Sequence, residues 1–262
     1  MRPGRTATGA ALTLLLALLA AAPAGAVIDG RRVAPEAYPQ VVALDDTCSG
    51  ALIAPDRILT AGHCTDQLRA GFGVRFAGRA AGGARYVVTR LVTAPGYRYQ
   101  SGRVPAEPLN DLAVAQLDRP VVGVEPLELD ERAVRQGERL RLAGYGTTAP
   151  SHPIFGTLRA ADVVSLSNTT CRRALRRRDA EQGSQLRTHM LCTRGRTGPP
   201  FASGCFGDSG APLLRRDRAR GRWLVVGVDS WGLACGTDRG DPEVFVRVAS
   251  FLAFLRGPLP VD

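Results

Sequence analysis

The stretch "CSGALIAPDRILTAGHC", residues 48–64, decides the reading of this chain. Two short apolar runs, "GALIA" and "RILTA", flank Pro55-Asp56, a pair that favours a turn. The unit therefore reads as strand–turn–strand with a Cys at each end. His63 stands at its close, one residue before the second Cys. A disulfide across such a hairpin would hold the imidazole in place. A lone His is ordinarily structural, as His152 and His189 are read here. This frame sets His63 apart, because an imidazole titrating near neutral pH suits general-base work.

The same pattern extends outward. "QVVAL", "YVVTRLV", "LAVAQL", "RLRLAGYG", "WLVVGVDSWG" and "VFVRV" are short, rich in β-branched residues and broken by Gly, Pro and Asp. Only "VASFLAFLR", residues 248–256, carries a helical apolar face, with Val248, Phe251, Leu252 and Leu255 together. The fold class is all-β, closed by a C-terminal helix. The polar stretch "PVVGVEPLELDERAVRQG" marks a boundary between two halves.

The first 26 residues read as a secretory leader. Arg2 and Arg5 precede the apolar run Ala10–Ala22, and Ala24-Gly25-Ala26 is a small-residue cleavage site. That run is far shorter than the ~20 residues that span a bilayer. The product is expected to be secreted, extracellular and without a membrane segment once the leader is removed. Cleavage after Ala26 starts the mature chain at Val27; cleavage after Ala24 would leave two residues to trim.

All 34 basic residues are Arg, against 24 acidic ones. With Arg2 and Arg5 lost, residues 27–262 carry a net charge of +8. The Arg residues are scattered, and the one dense cluster, Arg172, Arg173, Arg176, Arg177 and Arg178, fits the solvated face of a short helix. The charge is therefore read as surface rather than as a nucleic-acid site. Cys48, Cys64, Cys171, Cys192, Cys205 and Cys235 make an even count in an exported chain, hence three disulfides, for which spacing alone allows fifteen connectivities. There is no CxxC pair, so a zinc site has little support.

Two further stretches carry chemistry. In "SGCFGDSGAPL", residues 203–213, Ser209 is flanked by Asp208 and Gly210, with Gly207 before them. Such a turn can expose a hydroxyl beside converging backbone N–H groups, although Gly-Asp-Ser-Gly also makes an ordinary turn. In "NDLAVAQL", residues 110–117, Asp111 opens an apolar strand, an odd place for a carboxylate without a partner. An Asp accepting from the imidazole N–H would orient the base.

Together, "VIDG", "TAGHC", "DLAV", "GDSGAP", "SWG" and "PEVFVRV" across residues 27–256 resemble the trypsin/chymotrypsin-like serine protease family, in its His…Asp…Ser order. That order excludes α/β-hydrolases, which run Ser…Asp…His and need G-x-S-x-G, whereas residue 211 is Ala. GDS-type esterases, with Ser near the N-terminus and His near the C-terminus, are excluded as well. The resemblance implies two six-stranded antiparallel β-barrels with the site between them. The N-terminal barrel would span about 27–125, the C-terminal barrel about 136–248 and the helix about 249–256. It implies a secreted serine endopeptidase with Ser209 as nucleophile, His63 as base and acid, and Asp111 as orienting carboxylate. Gly207 and Ser209 would supply the oxyanion hole and Ser230 would support Asp111. The α-ammonium of Val27 would pair with Asp208. The implied disulfides are Cys48–Cys64, Cys171–Cys192 and Cys205–Cys235.

Substrate would bind Ser203, Phe206, Ser230, Trp231, Gly232 and Glu243. Trypsins carry Asp six residues before the nucleophile; Ser203 stands there, and Glu243 aligns with a pocket-wall Glu of cathepsin G-like relatives. Mixed specificity is expected, for aromatic or large apolar residues and for Lys or Arg. Polypeptide substrates and protein protease inhibitors are the implied partners of a monomer. No cofactor is expected, and no calcium, because no Asp or Glu lies between Asp66 and Glu107 in the loop after His63. A catalytically silent binding protein on this scaffold would betray itself by losing His63, Asp111 or Ser209. An esterase without peptide turnover is the other alternative.

Overall fold

A computed structural model describes residues 27–45, 47–76, 85–99, 109–147, 157–178, 180–196, 198, 201–233, 235 and 240–260. The leader and much of the loop relevant to calcium lie outside them. Six strands close the first barrel: β2 (Val41–Leu44), β3 (Cys48–Ala54), β4 (Arg57–Thr60), β5 (Gly73–Phe76), β6 (Arg85–Thr93) and β7 (Ala113–Leu117). Their order around it is β2-β3-β4-β7-β6-β5, and every pairing is antiparallel. The β3–β4 hairpin turns at Pro55-Asp56 and sets Leu52 opposite Ile58. Leu44, Leu52, Ile58, Leu59 and Val114 are fully buried. A wholly buried Leu or Ile contributes about 1.5–3 kcal/mol, so a handful of them suffices to fix the barrel's register.

The second barrel comprises β9 (Arg139–Gly144), β10 (Arg159–Leu166), β11 (Met190–Gly195), β12 (Pro212–Asp217), β13 (Arg222–Gly232) and β14 (Glu243–Arg247). The antiparallel ring runs β9-β10-β11-β14-β13-β12 and returns to β9. Two short strands join it from outside: β1 (Arg31–Arg32) pairs with β10, and β8 (Glu128–Leu129) runs parallel to β13.

The first barrel therefore begins at Val41, later than its expected start at Val27. Residues 27–32 cross to the second barrel instead. Ile28 bridges Ser203, and Val27 is fully buried with Leu142, Leu213 and Phe245. The physical reason is plain from the composition: "VI" is an apolar pair that needs a core, and the second barrel supplies one.

Helices are short. The C-terminal one is split into a 3-10 turn (Val248–Ser250) and α4 (Leu252–Arg256), with Leu255 buried against the first barrel. Arg57 caps its end, donating to the Gly257 carbonyl at 2.8 Å. Three further short helices are present: α1 (Cys64–Gln67), α2 (Asn168–Arg176), which carries part of the Arg172–Arg178 cluster read as a helix face, and α3 (Ala180–Gln185). The α2 helix is started by Ser167, whose Oγ accepts from Thr170 N–H at 3.1 Å. It buries only Cys171 and Leu175, leaving its Arg residues outward. Disulfides join Cys48–Cys64, Cys171–Cys192 and Cys205–Cys235.

Candidate active site

The seam between the barrels collects the chemistry-bearing residues. Asp111 lies just ahead of β7 and is fully buried. The chain reaches it through Asn110, held in the left-handed region at φ 49° and tied to Pro95 O at 2.8 Å. The carboxylate accepts three hydrogen bonds. His63 N–H reaches Oδ1 at 2.7 Å, His63 Nδ1 reaches Oδ2 at 2.8 Å, and Ser230 Oγ–H reaches Oδ2 at 2.6 Å. An isolated buried carboxylate would be very costly; this one is matched by two donors of His63, beyond the end of β4, and one on a bulge. The bulge lies in β13, where pairing with β14 slips between Asp229 and Trp231 and turns the Ser230 hydroxyl toward Asp111.

His63 follows Gly62, where a Cβ would sit 2.6 Å from the Tyr97 ring and 3.1 Å from Asp111 Oδ1. The backbone before the imidazole thus has to be glycine to approach so closely. With Nδ1 engaged by Asp111, Nε2 is the ring nitrogen left to take a proton from elsewhere. Burial, the largest influence on the imidazole, lowers its pKa. The Asp111 charge and hydrogen bond, helped by Asp66, outweigh burial, and the net pKa is raised above 6.5.

Ser209 sits on a turn fixed from both sides. Gly207 (φ 90°) and Gly210 (φ 82°) take left-handed conformations. Gly210 N–H donates to Asp229 O at 2.9 Å, and Asp229 N–H donates to Ala211 O at 2.9 Å. From the first barrel, Ser49 N–H donates to Ser209 O at 2.8 Å and Ser49 Oγ–H donates to Gly207 O at 2.8 Å. Tyr145 N–H donates to Ser49 Oγ at 3.0 Å. Ser209 O also lies 3.7 Å from Sγ of Cys64, the residue next to His63. Among the described residues, neither Gly207 N–H nor Ser209 N–H has a hydrogen-bond acceptor.

Asp208 points the other way, into the second barrel, and is completely buried. It accepts from Gly146 N–H at 2.9 Å, Cys205 N–H at 3.0 Å and Val27 N–H. Burial pushes its pKa up to about 7 despite the three donors. Ile28 N–H meets Ser203 O at 3.0 Å, so the "VI" pair is threaded beside the Ser209 turn.

Of the expected substrate residues, Ser203, Ser230 and Glu243 are buried, Trp231 is half-buried, and Gly232 and Phe206 are exposed, Phe206 to 64%. Glu243 reaches under Gly232, where a Cβ would stand 2.6 Å from its Oε2. Burial pushes its pKa up to about 8. Two residues of this region escaped sequence reasoning. Ser49 carries no signal in the sequence, since its partners lie more than ninety positions away. Asp229 did carry one: it is an acidic residue directly after the apolar run "WLVVGV" and still within β13.

These features define a two-barrel protein with a Ser, His and Asp constellation at the seam. The Trypsin family model matches residues 27–255, and the chain belongs to that family. It is 32% identical over 246 residues to human transmembrane protease serine 5, covering 88% of this chain and 51% of that protein. A trypsin-like protease of Streptomyces glaucescens is 31% identical, with 86% of this chain and 79% of that one covered. Several curated relatives are longer, the chain spanning 38–51% of their length. Neuropsin, a serine protease from mouse brain, has the same fold, with a TM-score of 0.71 at 24% identity over 87% of this chain and 98% of that one. Among the described residues no helix is long and apolar enough to cross a membrane.

Proposed function

We propose that this chain is a secreted serine endopeptidase. Ser209 Oγ attacks a peptide carbonyl carbon while its proton passes to His63 Nε2. The imidazolium so formed is stabilised by Asp111, which stays ionised. The negative charge on the former carbonyl oxygen is received by the N–H groups of Gly207 and Ser209. Collapse breaks the C–N bond, and His63 returns its proton to the leaving amine. Water, deprotonated by His63, then hydrolyses the acyl-enzyme, and Ser209 recovers its proton.

The observation that carries the reading is the three-donor clamp on Asp111. It fixes His63 in the tautomer with Nδ1–H toward the carboxylate and leaves Nε2 free to act. Polypeptides are the substrates and protein inhibitors the expected partners. Specificity is read as mixed: Glu243 lies in the pocket region without an Asp at position 203. Export follows from the leader. Cleavage after Ala26 frees the Val27 ammonium to pair with Asp208, whose raised pKa marks a buried carboxylate short of a countercharge. The test is cleavage of a peptide library by the purified chain starting at Val27. Peptide turnover that Ser209→Ala lowers by at least about 10³ supports the reading; equal turnover by the variant contradicts it.

A further inference from the structure

Behind the nucleophile turn, Glu243 does not stand alone. Asp229 on β13 and Glu243 on β14 are 3% and 7% exposed, and their side chains meet beside Gly204. A Cβ on Gly204 would collide with Asp229 Oδ2 and lie 3.3 Å from Glu243 Oε1. The absence of a side chain at residue 204 is what lets the two carboxyls converge next to Ser203. Asp229 Oδ1 is buried and has no hydrogen-bond partner. No ion pair among the described residues involves either acid. Among the described residues, the other charged group facing them is Asp208, from the nucleophile turn. From β11, the residue registered opposite Glu243 is the neutral Thr193.

Two buried carboxyls in contact cannot both ionise without a cation, so they hold a proton between them. We propose that Asp229 is a second specificity-determining residue, joined to Glu243 in an acid pair that gives up its shared proton when the Lys or Arg side chain of a substrate enters. This rests on the endopeptidase reading above. The exchange balances: a singly charged pair plus a cationic side chain becomes a doubly charged pair holding that cation, and one proton goes to water. An aromatic side chain leaves the proton where it is. Burial and the neighbouring carboxylates hold Asp229 and Glu243 well above the usual carboxylate range.

The experiment compares kcat/KM for paired peptide amides ending in Arg or Phe at the cleaved bond, from about pH 6 to about pH 9. The ratio cancels the titration of His63, because both substrates need the same base. The inference predicts an Arg/Phe ratio that climbs by up to about tenfold per pH unit on the acid side of the pair's titration. Asp229→Asn leaves one carboxyl, and the climb flattens. As a second measurement on the unaltered protein, calorimetry of benzamidine binding in two buffers of different ionisation enthalpy counts protons. About one proton released per amidinium supports the pair. A pH-independent ratio, or no proton released, overturns it. So does an Asp229→Asn variant that keeps the climb while its Ser209 is still labelled by a fluorophosphonate. Absence of labelling in the unaltered protein would instead contradict the endopeptidase reading.

Discussion

At the scale of single residues, the site is governed by how charges are matched. Asp111 is satisfied three times, by His63 twice and by Ser230 once. A hydrogen bond to a charged group contributes roughly 1.5–3 kcal/mol. Ser230→Ala should therefore lower kcat/KM by about 10–100-fold while the pH dependence keeps its shape, measured with a titrated enzyme. The imidazole sets that shape. On the proposed mechanism catalysis needs neutral His63, and its pKa is raised, so activity should rise with pH through a midpoint above about 6.5. A midpoint below that value would mean that burial outweighs Asp111. His63, Asp111 and Ser209 were all legible in the sequence, because each breaks a local pattern: an imidazole closing a strand, a carboxylate opening one, and a Ser amid glycines. Asp229 breaks its strand in the same way, but only the fold puts it against Glu243. Ser49 breaks nothing, and only the fold brings it to the site.

At the scale of elements, the Ser209 turn belongs to the second barrel but is held by a strand of the first. Ser49 on β3 joins Ser209, Gly207 and Tyr145 in one buried set of hydrogen bonds. Ser49→Ala would leave the Gly207 carbonyl and the Tyr145 N–H without that partner, and each buried orphan costs about 1–3 kcal/mol. The expected outcome is a lower melting temperature together with a fall in kcat larger than any rise in KM, because the Gly207 peptide, proposed above to shape the oxyanion site, loses its anchor. A drop in melting temperature with unchanged kcat would reduce Ser49 to packing. The strands with long β-branched runs, β6, β7, β13 and β14, were readable. The strands β10 ("RAADVVSL") and β12 ("PLLRRD") were not, since charged residues interrupt them and only pairing within the ring makes them strands. The helix α2 showed only through its Arg cluster, because it buries just Cys171 and Leu175 and so carries no apolar stripe.

At the scale of the whole molecule, the two barrels, the seam and the threaded N-terminal segment form one device. Val27 is buried in the second barrel with its N–H on Asp208, and Asp208 neighbours Ser209. An ammonium there would supply the charge that the raised pKa of Asp208 calls for. Removing one partner of a buried ion pair costs roughly 3–5 kcal/mol. A chain carrying one extra Met before Val27 should thus fold, show its three disulfides by mass mapping, and turn over peptide at least about a hundredfold more slowly. Full activity with the Met confirmed by N-terminal sequencing would refute activation by the Val27 terminus.

The central claim is that Ser209, driven by His63 and Asp111, attacks carbonyl carbon as a nucleophile. It is tested most directly by treating the chain starting at Val27 with a fluorophosphonate and mapping the adduct by mass spectrometry. The account predicts one adduct per molecule, on Ser209, lost in His63→Ala and matched one-to-one by loss of peptide cleavage. Peptide cleavage that survives full modification of Ser209, or a folded chain that takes up no reagent, would contradict it.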